Sequence, residues 1–318
     1  MAEQMEKLPA DQLVSDFTPP TASVRSLRKL SEQKPRRAAS GEKMTPGRRI
    51  GRIALYAALV VFAIALLMPF AWMVLSSFKS ANEVFSVPVK WFPETWVWQN
   101  YIDIWTESNM LVWIRNTLFL AVVVTFLQVL TGSFAAYGFA RMRFKGRDVL
   151  FLLYVGTIAV PWQSYMIPQF ILLSNFKVSN TLWAIILLQA FGAFGVFLMK
   201  QFYETIPEDL SEAARIDGLS EYGIWRRIML PLSMPAIASL SLLTFVATWN
   251  DYLGPLIYLR DPEIRTIQLG LRRFIDAYNA EYALILTGSV LSVLPIAIVF
   301  LLGQRYFVQG VATTGLKG

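Results

Sequence analysis

The chain contains no cysteine and no histidine. The first absence removes disulfides, thiolate nucleophiles and thiolate metal sites. The second removes imidazole ligands and the side chain most often used for proton transfer near neutral pH. Ser-His-Asp and Cys-His enzymes are therefore excluded, while carboxylate, lysine or tyrosine chemistry is left open. No catalytic residue and no metal site is expected. Charge is also scarce: charged residues make up 16% of the sequence, against roughly 25% in soluble domains.

What is present instead is apolar. The 318 residues are 55% hydrophobic, with a mean hydropathy of +0.46. A membrane span needs about 20 predominantly apolar residues, and six stretches qualify: 53–78, 117–140, 149–173, 181–199, 235–253 and 283–307. Backbone polar groups in lipid must be satisfied internally, so each stretch is expected as a helix. Pro69 is placed to kink the first, and Pro161 and Pro168 to interrupt the third. The expected fold class is all-α integral membrane, with six transmembrane helices. No internal repeat is visible, which argues against the duplicated halves of many secondary carriers.

The basic excess is uneven. Residues 1–52 hold eleven Lys and Arg against six Asp and Glu, so most of the net +7 sits there. Basic flanks fix membrane topology, and this accounts for the high pI without a nucleic-acid partner. Residues 1–49, with Pro19-Pro20 and scattered Ser, Gln and charge, read as a disordered tail ahead of a transmembrane domain over 50–318. The tail has no apolar core and does not read as a cleavable signal peptide. Arg141, Arg143, Lys145 and Arg147 lie two crossings after it, on the same side. Both termini are therefore expected in the cytoplasm. The loop 254–282 is then extracytoplasmic, although it carries Arg260, Arg265, Arg272 and Arg273 beside Asp261, Glu263, Asp276 and Glu281.

Between the fourth and fifth spans the chain turns polar: "IPEDLSEAARIDGLSEYGIWRRIMLPL", residues 206–232. Pro207 suits a first helical position, and Glu208 and Asp209 complement the positive helix start. Gly218 suits the left-handed position just past a helix end. Ser220 can cap a second helix over 221–229, and Pro231 prevents its simple continuation. The reading is helix, glycine turn, helix, on the cytoplasmic side. Leu210, Ala213 and Ala214 are expected on one face, where small residues admit another backbone. An amphipathic helix resting on the bilayer is the plainer reading of these residues.

The spacing of Glu212-Ala213-Ala214, Gly218, Ile228, Leu230 and Pro231 resembles the EAA loop of ABC importer permeases. "PFAWMVLSSFK", "FARMRFKGR", "WNDYLGPL" and "RYFVQGVATTGLKG" are similar to carbohydrate-uptake permeases of the maltose-transporter (MalG-like) type. The resemblance covers about residues 50–318. It implies the type I ABC importer permease fold, with 206–232 as a cytoplasmic coupling helix seated in a groove of an ATPase subunit. Glu212 would make the polar contact and Ala213 and Ala214 would pack in the groove. Gly218 would allow the turn, within a loop that also takes in Arg215, Asp217, Leu230 and Pro231. The C-terminal "TTGLKG" would extend toward the interface between the ATPase subunits. The loop after span five would reach the binding protein's sugar site. The tail is longer than the resemblance predicts.

The implied assembly is a second permease, forming a heterodimer, two cytoplasmic ATPase subunits and an extracytoplasmic sugar-binding protein. The setting is a bacterial or archaeal cell membrane. No cofactor is expected on this chain. ATP and Mg would be used by the partners, since no G-x-x-x-x-G-K-[ST] loop is present. The cargo is expected to be a disaccharide or oligosaccharide. Glycerol-3-phosphate in the same transporter class, or a stand-alone secondary carrier, are the alternatives. Gln163, Tyr165, Trp249 and Asn250 are the expected pathway residues. Amides offer both donor and acceptor to a hydroxyl, polar groups within spans mark pathways, and aromatic rings can stack on sugar faces. Trp and Tyr also gather at membrane interfaces for other reasons. Asp251 is expected to be structural or to face the binding protein.

Overall fold

The computed structural model describes residues 46–275 and 281–314. The tail 1–45, the end of the 254–282 loop at 276–280 and the last four residues of "TTGLKG" lie outside them. Helices are the regular elements among the described residues, with no strand among them. The chain divides into two units, Met1–Ala65 and Leu66–Gly318.

The described part of the first unit is the start of helix α1 (Pro46–Ser76). Over residues 53–65 its apolar side chains are exposed; Ile53, Val61 and Phe62 are each more than 60% exposed. Such a helix is stable only where its surroundings are as apolar as itself, as in lipid or against another subunit.

The second unit continues with α2 (Gln99–Thr106), α3 (Met110–Arg141), α4 (Arg147–Gly156), α5 (Met166–Asn175), α6 (Leu182–Gln189) and α7 (Ala193–Thr205). Then come α8 (Asp209–Ile216), α9 (Glu221–Ile224), a π-helical turn (Trp225–Met229), α10 (Leu230–Leu232), α11 (Met234–Trp249), α12 (Leu253–Tyr258), α13 (Ile267–Leu271) and α14 (Tyr282–Thr314). Among the described residues, four segments are long and apolar enough to cross a membrane: Arg49–Ser76, Met110–Arg141, Leu182–Thr205 and Tyr282–Gln304. A fifth is the pair Glu221–Leu232 and Met234–Trp249, bent by 79° between its halves.

The third expected span is not one helix. It is built from α4, two 3-10 turns at Thr157–Ala159 and Trp162–Ser164, and α5. Pro161 is the cause: it holds Val160 extended, at φ −83 and ψ 115. Pro168 interrupts nothing, because it sits in the first turn of α5, where no intrahelical N–H bond is made. The fourth expected span is also broken, between α6 and α7 at Gly192. The carbonyls left free there are taken up by α3. The Gln128 amide donates to the Gln189 carbonyl at 2.7 Å, and Thr131 Oγ1 donates to the Ala190 carbonyl at 2.8 Å. A broken helix persists in an apolar setting only with such substitutes.

α3 is the axis of the second unit. It packs on α7 and α11, and α11 in turn packs on α14. Apolar burial contributes little to helix association in lipid, so close approach has to come from small residues. α3 presents Gly132, Ser133 and Ala136, all buried, to α7. At the crossing, a Cβ on Gly132 would stand 3.3 Å from the Gly195 carbonyl carbon. One apolar cluster joins α3, α7 and α11 to the 206–232 segment, through Tyr137, Met199, Ala214, Ile224, Trp225 and Leu240. Another gathers α2, α11, α13 and α14 at the other end of α3, around Trp113 and Trp249. There Asn116 holds the carbonyls of Glu263 and Arg265 at 2.8 and 3.1 Å, and Thr117 Oγ1 accepts from the Ile267 N–H at 2.8 Å. The incoming loop is thereby fixed to α3.

Candidate functional site

The 206–232 segment is shaped by local chemistry. Asp209 and Glu212 stand in the first turn of α8 and Arg215 in the last, as the helix dipole favours. Gly218 follows with φ +82. Its N–H donates to the Arg215 carbonyl, and the Leu219 N–H donates to the Ala214 carbonyl, both at 3.0 Å. This is a Schellman stop. Ser220 caps α9 by accepting the Gly223 N–H at 3.2 Å. Pro231 does not end the second helix. The chain widens to a π turn before it, where the Leu230 N–H reaches the Trp225 carbonyl, and bends at Ser233.

The segment is tied to α3 by side chains. The Arg215 guanidinium contacts Glu221 at 2.7 Å, and the Tyr137 hydroxyl of α3 donates to the same carboxylate. The hydrogen bond from Arg215, followed by that from Tyr137, holds the Glu221 carboxyl below the usual carboxylate range. Near the C-terminus of α3, Arg141 donates to the carbonyls of Tyr203 and Ile206, closing the end of α7. Arg143 faces Glu208 at 3.4 Å.

A cavity of about 600 Å³ opens farther along the unit, between α3, the α4–α5 linker, α6 and α11. Its wall carries two hydrogen-bonded runs. Thr244 Oγ1 donates to Gln128 Oε1 at 3.2 Å, and Gln128 donates onward to the Gln189 carbonyl. Thr248 Oγ1 donates to Gln189 Oε1 at 3.2 Å, and Gln189 Nε2 donates to Asp251 Oδ2 at 2.8 Å. Asp251 Oδ1 accepts the Gly254 N–H at 3.0 Å. Opposite them, Gln169 Oε1 accepts from Trp162 Nε1 at 2.9 Å and from the Tyr258 hydroxyl at 3.2 Å. The Trp162 and Tyr258 rings meet edge-on, 6.2 Å apart.

The profile for the binding-protein-dependent transport system inner membrane component matches residues 128–313. The chain belongs to that family. The arabinooligosaccharides transport system permease protein AraQ of Halalkalibacterium halodurans is 35% identical over 253 residues, 79% of this chain and 91% of the relative. The lactose transport system permease protein LacG of Rhizobium radiobacter is 32% identical over 263 residues, 83% and 96% of the two chains. Among solved structures, a chain of a bacterial ABC transporter involved in the import of the acidic polysaccharide alginate superposes with a TM-score of 0.73. It shares 24% identity and covers 83% of this chain and 99% of that one. The last likeness is one of fold.

The matched region of this transport inner membrane component takes in both the 206–232 segment and the cavity. The expected residues fall in different places. Glu212, Ala213, Asp217 and Gly218 are exposed, together with Ile216 at 87%. Ala214 is 5% exposed and packs inward against the core, so the two alanines do not share a face as expected. Adjacent helical residues lie about 100° apart, and the fold uses one for its own packing. Arg215 is engaged by Glu221; Leu230 is half-buried and Pro231 exposed.

Of the expected pathway residues, Tyr165 lines the cavity. Gln163 is exposed on the Trp162–Ser164 turn, away from the lining. Trp249 is fully buried and donates to the Ser292 carbonyl of α14 at 3.0 Å. Asn250 is exposed beside Gln268. Gln128, Gln169, Gln189, Thr244 and Thr248 were not anticipated. The signal for Gln128 and Gln189 was there: each is a lone amide inside an apolar run, "FLQVL" and "LLQAF".

Proposed function

We propose that this chain is the membrane-spanning subunit of an ATP-driven importer that moves a disaccharide or oligosaccharide delivered by an extracytoplasmic binding protein. Similarity over about four fifths of this chain to permeases named for arabinooligosaccharides and lactose carries the sugar reading. The cavity supports it, being lined by amides, hydroxyls and aromatic rings that suit sugar hydroxyls and faces. A second permease forms a heterodimer with this chain, and two cytoplasmic ATPase subunits bind and hydrolyse ATP with Mg. The chain itself binds no cofactor. Six spans are reached by counting the α4–α5 segment as one broken crossing, with both termini cytoplasmic.

In this reading the 206–232 segment is the coupling element. Glu212, Ala213, Ile216 and Asp217 form the face presented to the ATPase, and Ala214 and Leu219 seat the helix on this chain. ATP-driven closure of the ATPase pair then moves α8 as a unit and reorients the cavity. Glycerol-3-phosphate is disfavoured as cargo, because the lining has no Lys or Arg to hold a phosphate.

The test is uptake into proteoliposomes by the full complex with its binding protein. Sugar uptake is expected to require ATP inside the vesicle and all subunits. Glu212→Ala with Gly218→Val is expected to abolish uptake while the complex still assembles. Uptake by this chain alone under an ion gradient would replace the reading with a secondary carrier.

A further inference from the structure

We infer that the cavity of this single subunit is a sugar subsite whose selectivity is set by Asp251, admitting neutral sugars and rejecting those that carry carboxylates. The inference rests on the sugar reading above and adds which chemical class of sugar passes.

Asp251 is the one charged side chain among the described lining residues. Among the described lining residues no cation offsets it: its partners are the Gln189 amide and the backbone N–H groups of Gly254 and Leu253. A carboxylate has about four acceptor positions, so about one remains for a sugar hydroxyl. Its partners are held in register, because Gln189 is oriented by Thr248 on its oxygen side and by Asp251 on its nitrogen side. Gln169 accepts twice on Oε1, which leaves its amide N–H groups as donors. Arg260 lies over the Phe170 ring at 5.4 Å, off the lining.

Donors and acceptors around an acidic side chain suit a hydroxylated neutral ligand. A sugar carboxylate held about 6 Å from Asp251, at an effective dielectric near 20, is disfavoured on the order of a hundredfold. Were the cargo acidic, the wall would need at least one Lys or Arg to reverse that sign, and the described lining residues include none.

The experiment measures sugar binding to the purified importer complex in nanodiscs without the binding protein, so that the permease alone discriminates. The probes are neutral trisaccharides (xylotriose, arabinotriose and maltotriose) and trigalacturonate. At least one neutral probe is expected to bind the wild type, with trigalacturonate weaker by about a hundredfold. Asp251→Asn is expected to narrow that gap at least tenfold. A second variant leaves the Asp251 contacts in place: Leu243→Lys, at an exposed lining position, adds the opposite charge and is expected to strengthen trigalacturonate binding. Neutral binding with a gap that neither variant narrows, or equal binding of both classes by the wild type, overturns the role of Asp251 alone. Binding of none of the four probes to wild type or Leu243→Lys overturns the sugar reading as well.

Discussion

Gly132 on α3 and Gly195 on α7 stand in backbone contact, so that a methyl group on Gly132 would meet the Gly195 carbonyl carbon at 3.3 Å and the Val196 nitrogen at 3.5 Å. Backbone, unlike a side chain, has no other rotamer to move into. Gly132→Ala is expected to be tolerated with a small loss of stability. Gly132→Leu forces the helices apart and is expected to cost about 1–3 kcal/mol. Thermal unfolding of the complex in detergent measures the difference, and equal melting of the two variants would place the crossing elsewhere.

Gly218 tests backbone against packing. It has φ +82, and a Cβ there would meet nothing within 4 Å. The cost of Gly218→Val is therefore conformational, about 1–2 kcal/mol for a branched residue in the left-handed region. Gly218→Asn is expected to recover most of the loss, since Asn tolerates that region. Uptake and melting temperature measured for both variants check this; identical behaviour of Val and Asn would argue against the turn geometry.

The Arg215–Glu221–Tyr137 contact carries a pH signature. The Glu221 carboxyl is held below its usual range, chiefly by Arg215. A depressed carboxylate stabilises the fold above its unfolded pKa, about 4.3, and the contribution fades as pH falls through the lower folded value. The stability gap between wild type and Glu221→Gln is therefore expected to be full at neutral pH and to shrink in acid. Melting curves from pH 7 downward test it; a gap that widens in acid would reverse the sign of the argument.

Trp249 separates a structural tryptophan from a sugar platform. Trp249→Phe removes the donor to the Ser292 carbonyl and is expected to cost about 1 kcal/mol through the lost buried hydrogen bond. The KM for uptake by the complex should stay unchanged. A raised KM at unchanged stability would move Trp249 into the pathway.

Legibility followed the range of the interactions. Gly218 and Ser220 were readable because capping is local: a glycine and a hydroxyl act on backbone within a few residues. Pro161 was readable for the same reason. The faces of Ala213 and Ala214 were not, because spacing tells which residues neighbour each other but not which way the core lies. The break at Gly192 was also hidden. It exists because Gln128 and Thr131, about sixty residues earlier, take up the freed carbonyls. The cavity was missed likewise, since its wall gathers side chains from four separate stretches.

The bend at Ser233 makes a bell crank. One arm is Glu221–Leu232, the other Met234–Trp249, set 79° apart. The pivot is stiff: Ser233 is fully buried, with its N–H on the Met229 carbonyl at 3.0 Å and its hydroxyl on the Leu230 carbonyl at 3.0 Å. At 1.5 Å per residue the arms are about 18 and 24 Å long, and the Glu221 end of the short arm is tied to Tyr137 of α3. The far end of the long arm carries Thr248, next to Asp251 on the cavity wall. Under the proposed coupling, a displacement of the short arm would reach the cavity turned through nearly a right angle.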